Sequence, residues 1–226
     1  MFNLHRKYLL SKINYMIILF IILVTLLVYF VLFNPFNNSY THWLNKQESI
    51  KTSIDNIVFI NKFIFVLIGS FLFGNSFSLQ QDAYNVIFLR TKKDKVNFYI
   101  TKILSIISII AFIFVILCFS NLFLFNYKIN YYSNIKDLVL INFESFLLAL
   151  VYGSISIILI LIFKTQLVLI VPLILFFISD GLNWSFLKIY FPSIRSIVTF
   201  DGFIHKILLY CFYSTLGGII YFYKDL

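Results

Sequence analysis

Long, uninterrupted apolar runs are the feature that most limits what this chain can fold into. They lie at about Tyr15–Phe33, Ile57–Leu79, Phe98–Phe125, Leu138–Phe163, Leu167–Ser179 with an irregular extension, and Phe203–Tyr223. A helix needs about 20 apolar residues to cross about 30 Å of hydrocarbon at about 1.5 Å per residue. In lipid, only a helix or a closed barrel satisfies every backbone group internally. These runs are continuous rather than alternating, which selects helices. Composition agrees: 61% of the 226 residues are hydrophobic, 12% are charged, and mean hydropathy is +0.95. Soluble domains average roughly half apolar and a quarter charged. The expectation is an all-α polytopic membrane protein, a single transmembrane domain over residues 1–226 with six helices and no separate soluble domain.

The basic residues set orientation. With the N-terminus inside, Arg6, Lys7, Lys12, Arg90, Lys92, Lys93, Lys95, Lys102, Lys164 and Lys224 fall on the cytoplasmic side, ten against eight outside. Positive charge is densest before the first span and after the second, which favours an N-in, C-in arrangement. The net charge of +9 is therefore read as membrane orientation, and no nucleic-acid partner is expected. Arg6, Lys7 and Lys12 precede an apolar run too long for the core of a signal peptide, and that run ends at Asn34-Pro35 without a small-residue cleavage site. Phe2–Ile13 is expected to lie on the membrane surface as a short interfacial helix, with Phe2, Leu9 and Ile13 sharing a face.

The fifth span is short and broken. After Pro172 the apolar run ends in Ser179-Asp180-Gly181, and the following stretch mixes Trp184, Tyr190 and Phe191 with Lys188, Pro192 and Arg195. An outer segment over about 180–202, dipping back as a re-entrant hairpin, accounts for that mixture. The Asp-Gly pairs at Asp180-Gly181 and Asp201-Gly202 bracket it as turns.

Glu144 is the one acidic residue inside an apolar run. An intramembrane carboxylate is by default a functional residue. Yet Ser145–Phe163 is itself nearly long enough to span, which would leave Glu144 at the outer interface. Lys62 and Lys206, near the outer ends of their runs, are expected to snorkel to the interface. Asn75, Ser76 and Ser78 make the inner half of the second span polar, as the lining of a pathway or as an early exit from the membrane. Ser70 and Gly74, Ala149 and Gly153, and Ser214 and Gly218 are small pairs at i, i+4, the spacing that lets helices approach closely.

Catalytic chemistry has little to stand on. Cys118 and Cys211 lack a second Cys or His at ligand spacing, so no metal site or disulfide framework is expected. No HExxH or paired membrane aspartates occur, and the stretch from Gly153 to Ser156 is not a G-x-S nucleophile pattern. None of the seven glycines precedes a lysine, so the chain has no phosphate loop and binds no cofactor by this reading.

The loop from about 80 to 97 carries the most specific pattern. Asp82 is followed by the apolar run Val86–Leu89, then Arg90-Thr91-Lys92-Lys93-Asp94-Lys95, with Lys102 opening the third span. In this loop and in its six-span layout the chain resembles the permease subunits of ABC-2-type transporters. The family's frequent Gly-Thr and Pro are absent, with Tyr84-Asn85 and Lys92-Lys93 in their place. The resemblance implies that Asp82, Val86, Leu89, Arg90, Lys92, Lys93 and Lys95 form a coupling helix docked on a cytoplasmic ABC ATPase subunit. ATP and Mg would be bound there, on the partner. It also implies a second permease copy or a paralogue, and a hydrophobic or amphipathic substrate such as a peptide, bacteriocin or lipid-like molecule. The basic cluster suits acidic groups on an ATPase or the head groups of membrane lipids. A non-transporting membrane immunity or scaffold protein is the competing reading. Heavy use of Ile, Phe, Asn, Lys and Tyr points to an AT-rich genome of the low-GC Gram-positive kind, and to a multi-pass protein of its cell membrane.

Overall fold

The computed structural model describes residues 43–78, 92–124, 135–181, 185–192 and 200–223. These residues are helical throughout, apart from short connections. The elements are α1 (Trp43–Ser76), α2 (Lys92–Leu124), α3 (Ile135–Phe163), a 3-10 turn (Gln166–Ile170), α4 (Val171–Gly181), α5 (Ser185–Tyr190) and α6 (Phe200–Tyr223). The first expected span, Tyr15–Phe33, and the interfacial Phe2–Ile13 lie outside the described residues.

Four helices contain stretches long and apolar enough to cross a membrane: Val58–Ser76 in α1, Lys93–Leu122 in α2, Val139–Phe163 in α3 and Phe200–Tyr223 in α6. The apolar stretch Leu167–Ser179 is too short to join them. At about 1.5 Å per residue it covers about 20 Å of the required 30 Å.

Helix α1 starts at Trp43, well before the Ile57 expected from hydropathy. No Gly or Pro occurs between Trp43 and Gly69, so nothing in that polar lead-in breaks the backbone hydrogen bonding. Helix α2 likewise contains neither residue and runs for 33 residues without interruption. Helix α3 ends where Lys164 takes a left-handed conformation at φ 58°, its N–H bonded to the Ile160 carbonyl. That is the geometry of a helix C-cap on a residue other than glycine. Pro172 then enters the first turn of α4, where its missing N–H leaves no helical bond unmade.

Helix α3 is the centre of the bundle. Of its apolar window 72% is buried, against 17% for α6. Helices α1 and α3 run in the same direction: Lys62 meets Glu144, Gly69 meets Ala149, and Phe73 meets Gly153. Helix α6 runs parallel to both, with Lys206 at Glu144 and Gly217 at Ile157. Helix α2 runs the other way, since Asn121 reaches Asn142 near the start of α3 while Tyr99 reaches Ser214 in the second half of α6. The 3-10 turn and α4 together run antiparallel to α1, with Leu169 of the turn against Gly74 and Phe177 of α4 against Phe63.

Helices α1 and α3 approach each other at the backbone. A side chain placed at Gly69 would collide with the backbone carbonyl of Ala149, and one at Gly153 with the ring of Phe73. With no hydrophobic drive between helices in lipid, such close backbone packing supplies much of their association.

The short helix α5 and Pro192 fold back onto the bundle. Tyr152 of α3 donates its hydroxyl to the Pro192 carbonyl at 3.0 Å, and Tyr213 of α6 donates to the Tyr190 carbonyl at 3.1 Å. Both tyrosines stand about two turns beyond the level of Glu144 and Lys206. Their side chains lean back toward the helix starts, so the carbonyls they hold lie within the apolar part of the bundle.

Candidate functional site

Two polar clusters sit side by side where α1, α3 and α6 begin their apolar stretches. In the first, Glu144 of α3 is fully buried between two lysines. Lys206 Nζ of α6 donates to Glu144 Oε1 at 2.9 Å, and Lys62 Nζ of α1 meets Oε2 at 2.9 Å as an ion pair. The lysines are 2% exposed, so none of the three charges is solvated from outside the bundle. Snorkelling is therefore the wrong account of Lys62 and Lys206. A lysine reaches for the interface when nothing nearer compensates its charge, and here a carboxylate on the neighbouring helix does so within the bundle. Nor is Glu144 at an exposed outer interface: it is completely covered.

The second cluster is neutral. Asn61 of α1 and Asn121 of α2 both donate to Asn142 Oδ1, at 3.1 and 2.8 Å. All three asparagines are buried. The Cys118 side chain, on the same face of α2 as Asn121, also meets Asn142. Asn61 adjoins Lys62 and Asn142 lies two positions from Glu144, so α2 is joined to the ion cluster through the amides. Interhelical amide bonds in a membrane contribute about 0.6 kcal/mol on average. Charge-assisted contacts are roughly twice as strong as neutral ones.

None of the three asparagines was singled out from the sequence. The legible signal was depth. Alternate spans run in the same direction, so Lys62, Glu144 and Lys206, each a few residues into its apolar run, must lie at similar levels. Opposite charges at one level in neighbouring helices seek each other, because leaving any of them alone in lipid costs several kcal/mol.

The other sequence-derived residues are distributed as follows. Ser76 is buried and donates its hydroxyl to the Leu72 carbonyl of its own helix at 2.6 Å. Ser78 is buried and Asn75 is half-buried. Ser154 and Ser156 also bond back to their own helix, at Val151 and Tyr152. Hydroxyls used in this way satisfy the helix rather than offering donors to a path. Gly74 faces the Leu169 side chain, and Gly218 faces Tyr99. Ala149 receives Gly69, the residue before Ser70; the Ser70 hydroxyl is buried without a hydrogen-bond partner among the described residues. The Ser214 carbonyl accepts from Tyr99 Oη at 2.6 Å.

Of the coupling residues, Asp82, Val86, Leu89 and Arg90 lie outside the described residues. Lys92 opens α2, Lys93 is exposed and Lys95 is half-buried. Lys102, about two turns further on, is buried over the rings of Phe77 and Phe98, at 4.7 and 4.9 Å from their centroids. Desolvated cation–π contacts of this kind contribute about 2 kcal/mol.

Comparison with family models, with curated proteins and with solved structures finds no match to this chain.

Proposed function

We propose that this chain is the permease subunit of an ABC transporter, moving a hydrophobic or amphipathic substrate across the cell membrane under the power of a separate ATPase. In this reading it is a six-span, N-in, C-in half that works with a second copy or a related permease. The basic loop ahead of α2 is the docking element for the ATPase. The outer segment around α5 is a re-entrant hairpin on the opposite side.

The observation that carries the reading is the continuity of α2. It rises from the basic island at Lys92 and extends past Asn121 without a break, a distance of about 50 Å. A push at the island is thus delivered by one rigid element to the amide cluster, and from there to the ion cluster that ties α1, α3 and α6 together. Packed interfaces of this kind hold discrete arrangements rather than deforming continuously, which suits a two-state transporter. The wall chemistry supports an amphipathic substrate: the described interior is apolar and aromatic, with its charges confined to a few buried contacts.

Purification of the full chain from its own host membranes tests this directly. A nucleotide-binding subunit is expected to co-purify. The double reversal Arg90→Glu/Lys93→Glu is expected to lower its retention by about tenfold or more, since like-charge contacts at an interface cost several kcal/mol. If no ATPase is retained, and the biological activity persists in a strain lacking the candidate ATPase, the transporter reading is wrong. A toxin-binding or scaffold role then takes its place.

A further inference from the structure

The face of the bundle that borders the basic island carries a groove that no step above uses. It has a volume of about 400 Å³ and lies between the first turns of α2 and the last turns of α6. Lys95 stands on its rim, and Val96, Tyr99, Thr215, Gly218 and Ile219 form its walls. Gly218 adds no side chain to the space, and the Tyr99 ring packs beside it. Three rings hold the floor in shape: Phe77, Tyr99 and Tyr221 have centroids 5.3 to 5.8 Å apart. Tyr99 is further fixed by its 2.6 Å bond to the Ser214 carbonyl.

We infer that this groove binds one anionic phospholipid from the leaflet on the island side, with an acyl chain in the groove and the phosphate at Lys95. Val96 and Ile219 are exposed apolar side chains at the groove, so in a bilayer an acyl chain enters sideways without crossing water. The volume is at the low end of ligand pockets and accommodates part of one chain, the rest of the lipid remaining in the membrane. The charge is complementary. Lys95 is half-buried at the mouth and Lys93 is exposed nearby, both in the first turn of α2 with Asp94 between them, where the helix dipole favours an anion. Tyrosines at that level match the amphipathic ring belt of a membrane interface. A zwitterionic lipid offers the same tails without the net charge. The inference does not need the transporter reading, but it takes Lys95 out of the set expected to dock on an ATPase. It assigns Lys95 to lipid and leaves the rest of the island for a protein partner.

The test is a titration of the purified full chain with phosphatidylglycerol and with phosphatidylcholine, read by native mass spectrometry. Wild type is expected to retain one phosphatidylglycerol in preference to phosphatidylcholine. Lys95→Gln should weaken that binding about fivefold, the effect of about 1 kcal/mol for one lysine near a membrane surface, and Lys95→Arg should restore it. Thr215→Trp fills the groove from an exposed position and should abolish the bound lipid for both headgroups. Thermal unfolding of each variant checks that the bundle is intact. Equal retention of the two lipids, or an unchanged bound lipid in a folded Thr215→Trp variant, overturns the assignment.

Discussion

Replacing Glu144 with glutamine is expected to destabilise the bundle by about 3–5 kcal/mol, the cost of removing one partner from a buried ionic cluster. The variant leaves Lys62 and Lys206 facing each other with no carboxylate between them. Expression should fall, and the thermal midpoint in detergent should drop well below that of wild type. The buried cluster is not thereby an efficient source of stability. Taking three charges out of water is costly, and apolar replacements of similar volume are often neutral or stabilising by about 1–4 kcal/mol. The triple variant Lys62→Met/Glu144→Leu/Lys206→Met is therefore expected to regain the midpoint lost by the single change. If it also regains full activity, the triad is only a fastener. Recovery of stability without activity assigns it a part in the working cycle. An unchanged midpoint in Glu144→Gln would contradict the buried triad itself.

The second large effect is expected at Gly69. Its missing side chain lets α1 approach the Ala149 carbonyl of α3, and a backbone atom cannot rotate out of the way as a side chain can. Gly69→Leu should force the two helices apart and cost at least about 1–3 kcal/mol, the range for overpacking a filled core. Gly218→Ala provides the contrast. Its new methyl would lie 3.1 Å from the edge of the Tyr99 ring, which a small ring movement relieves. Ser70→Ala should be close to neutral, because the Ser70 hydroxyl has no hydrogen-bond partner among the described residues. Unfolding midpoints of the three variants in one detergent decide the order. A Gly69→Leu protein as stable as Ser70→Ala would contradict the close contact of α1 and α3.

Hydropathy located the elements better than their contacts. Apolar length alone marks the spanning parts of α1, α2, α3 and α6, whereas Leu167–Ser179, counted from the sequence as a fifth span with an irregular extension, is too short to cross by itself. Pro172 marked the start of α4, but Asp180-Gly181 closes α4 as helix and Asp201-Gly202 lies in the first turn of α6, so neither pair forms the turn expected of it. The early start of α1 was hidden because Trp43–Asn56 is polar, and apolar length is silent on helices that leave the membrane. The ion cluster was hidden for a different reason. A lone lysine near a span end reads equally as a snorkelling anchor or as half of a pair, and only the parallel packing of α1, α3 and α6 decides. The same holds for small residues: Ser70 and Gly74 have the expected spacing, but helix rotation makes Gly69 the contact with Ala149. Asn61, Asn121 and Asn142 are unremarkable singly, and their meaning comes from convergence.

The transmission of motion along α2 to the ion cluster can be measured as a distance. Spin labels at Phe119→Cys on α2 and Ile204→Cys on α6, both exposed positions, report that end of the bundle in a background carrying Cys118→Ser and Cys211→Ser. The distance is read by double electron–electron resonance in the complex with the ATPase, nucleotide-free and with ATP trapped before hydrolysis. Two distinct distances, one for each nucleotide state, are expected. A single unchanged distance in both states, from a complex that still hydrolyses ATP, would contradict coupling through α2.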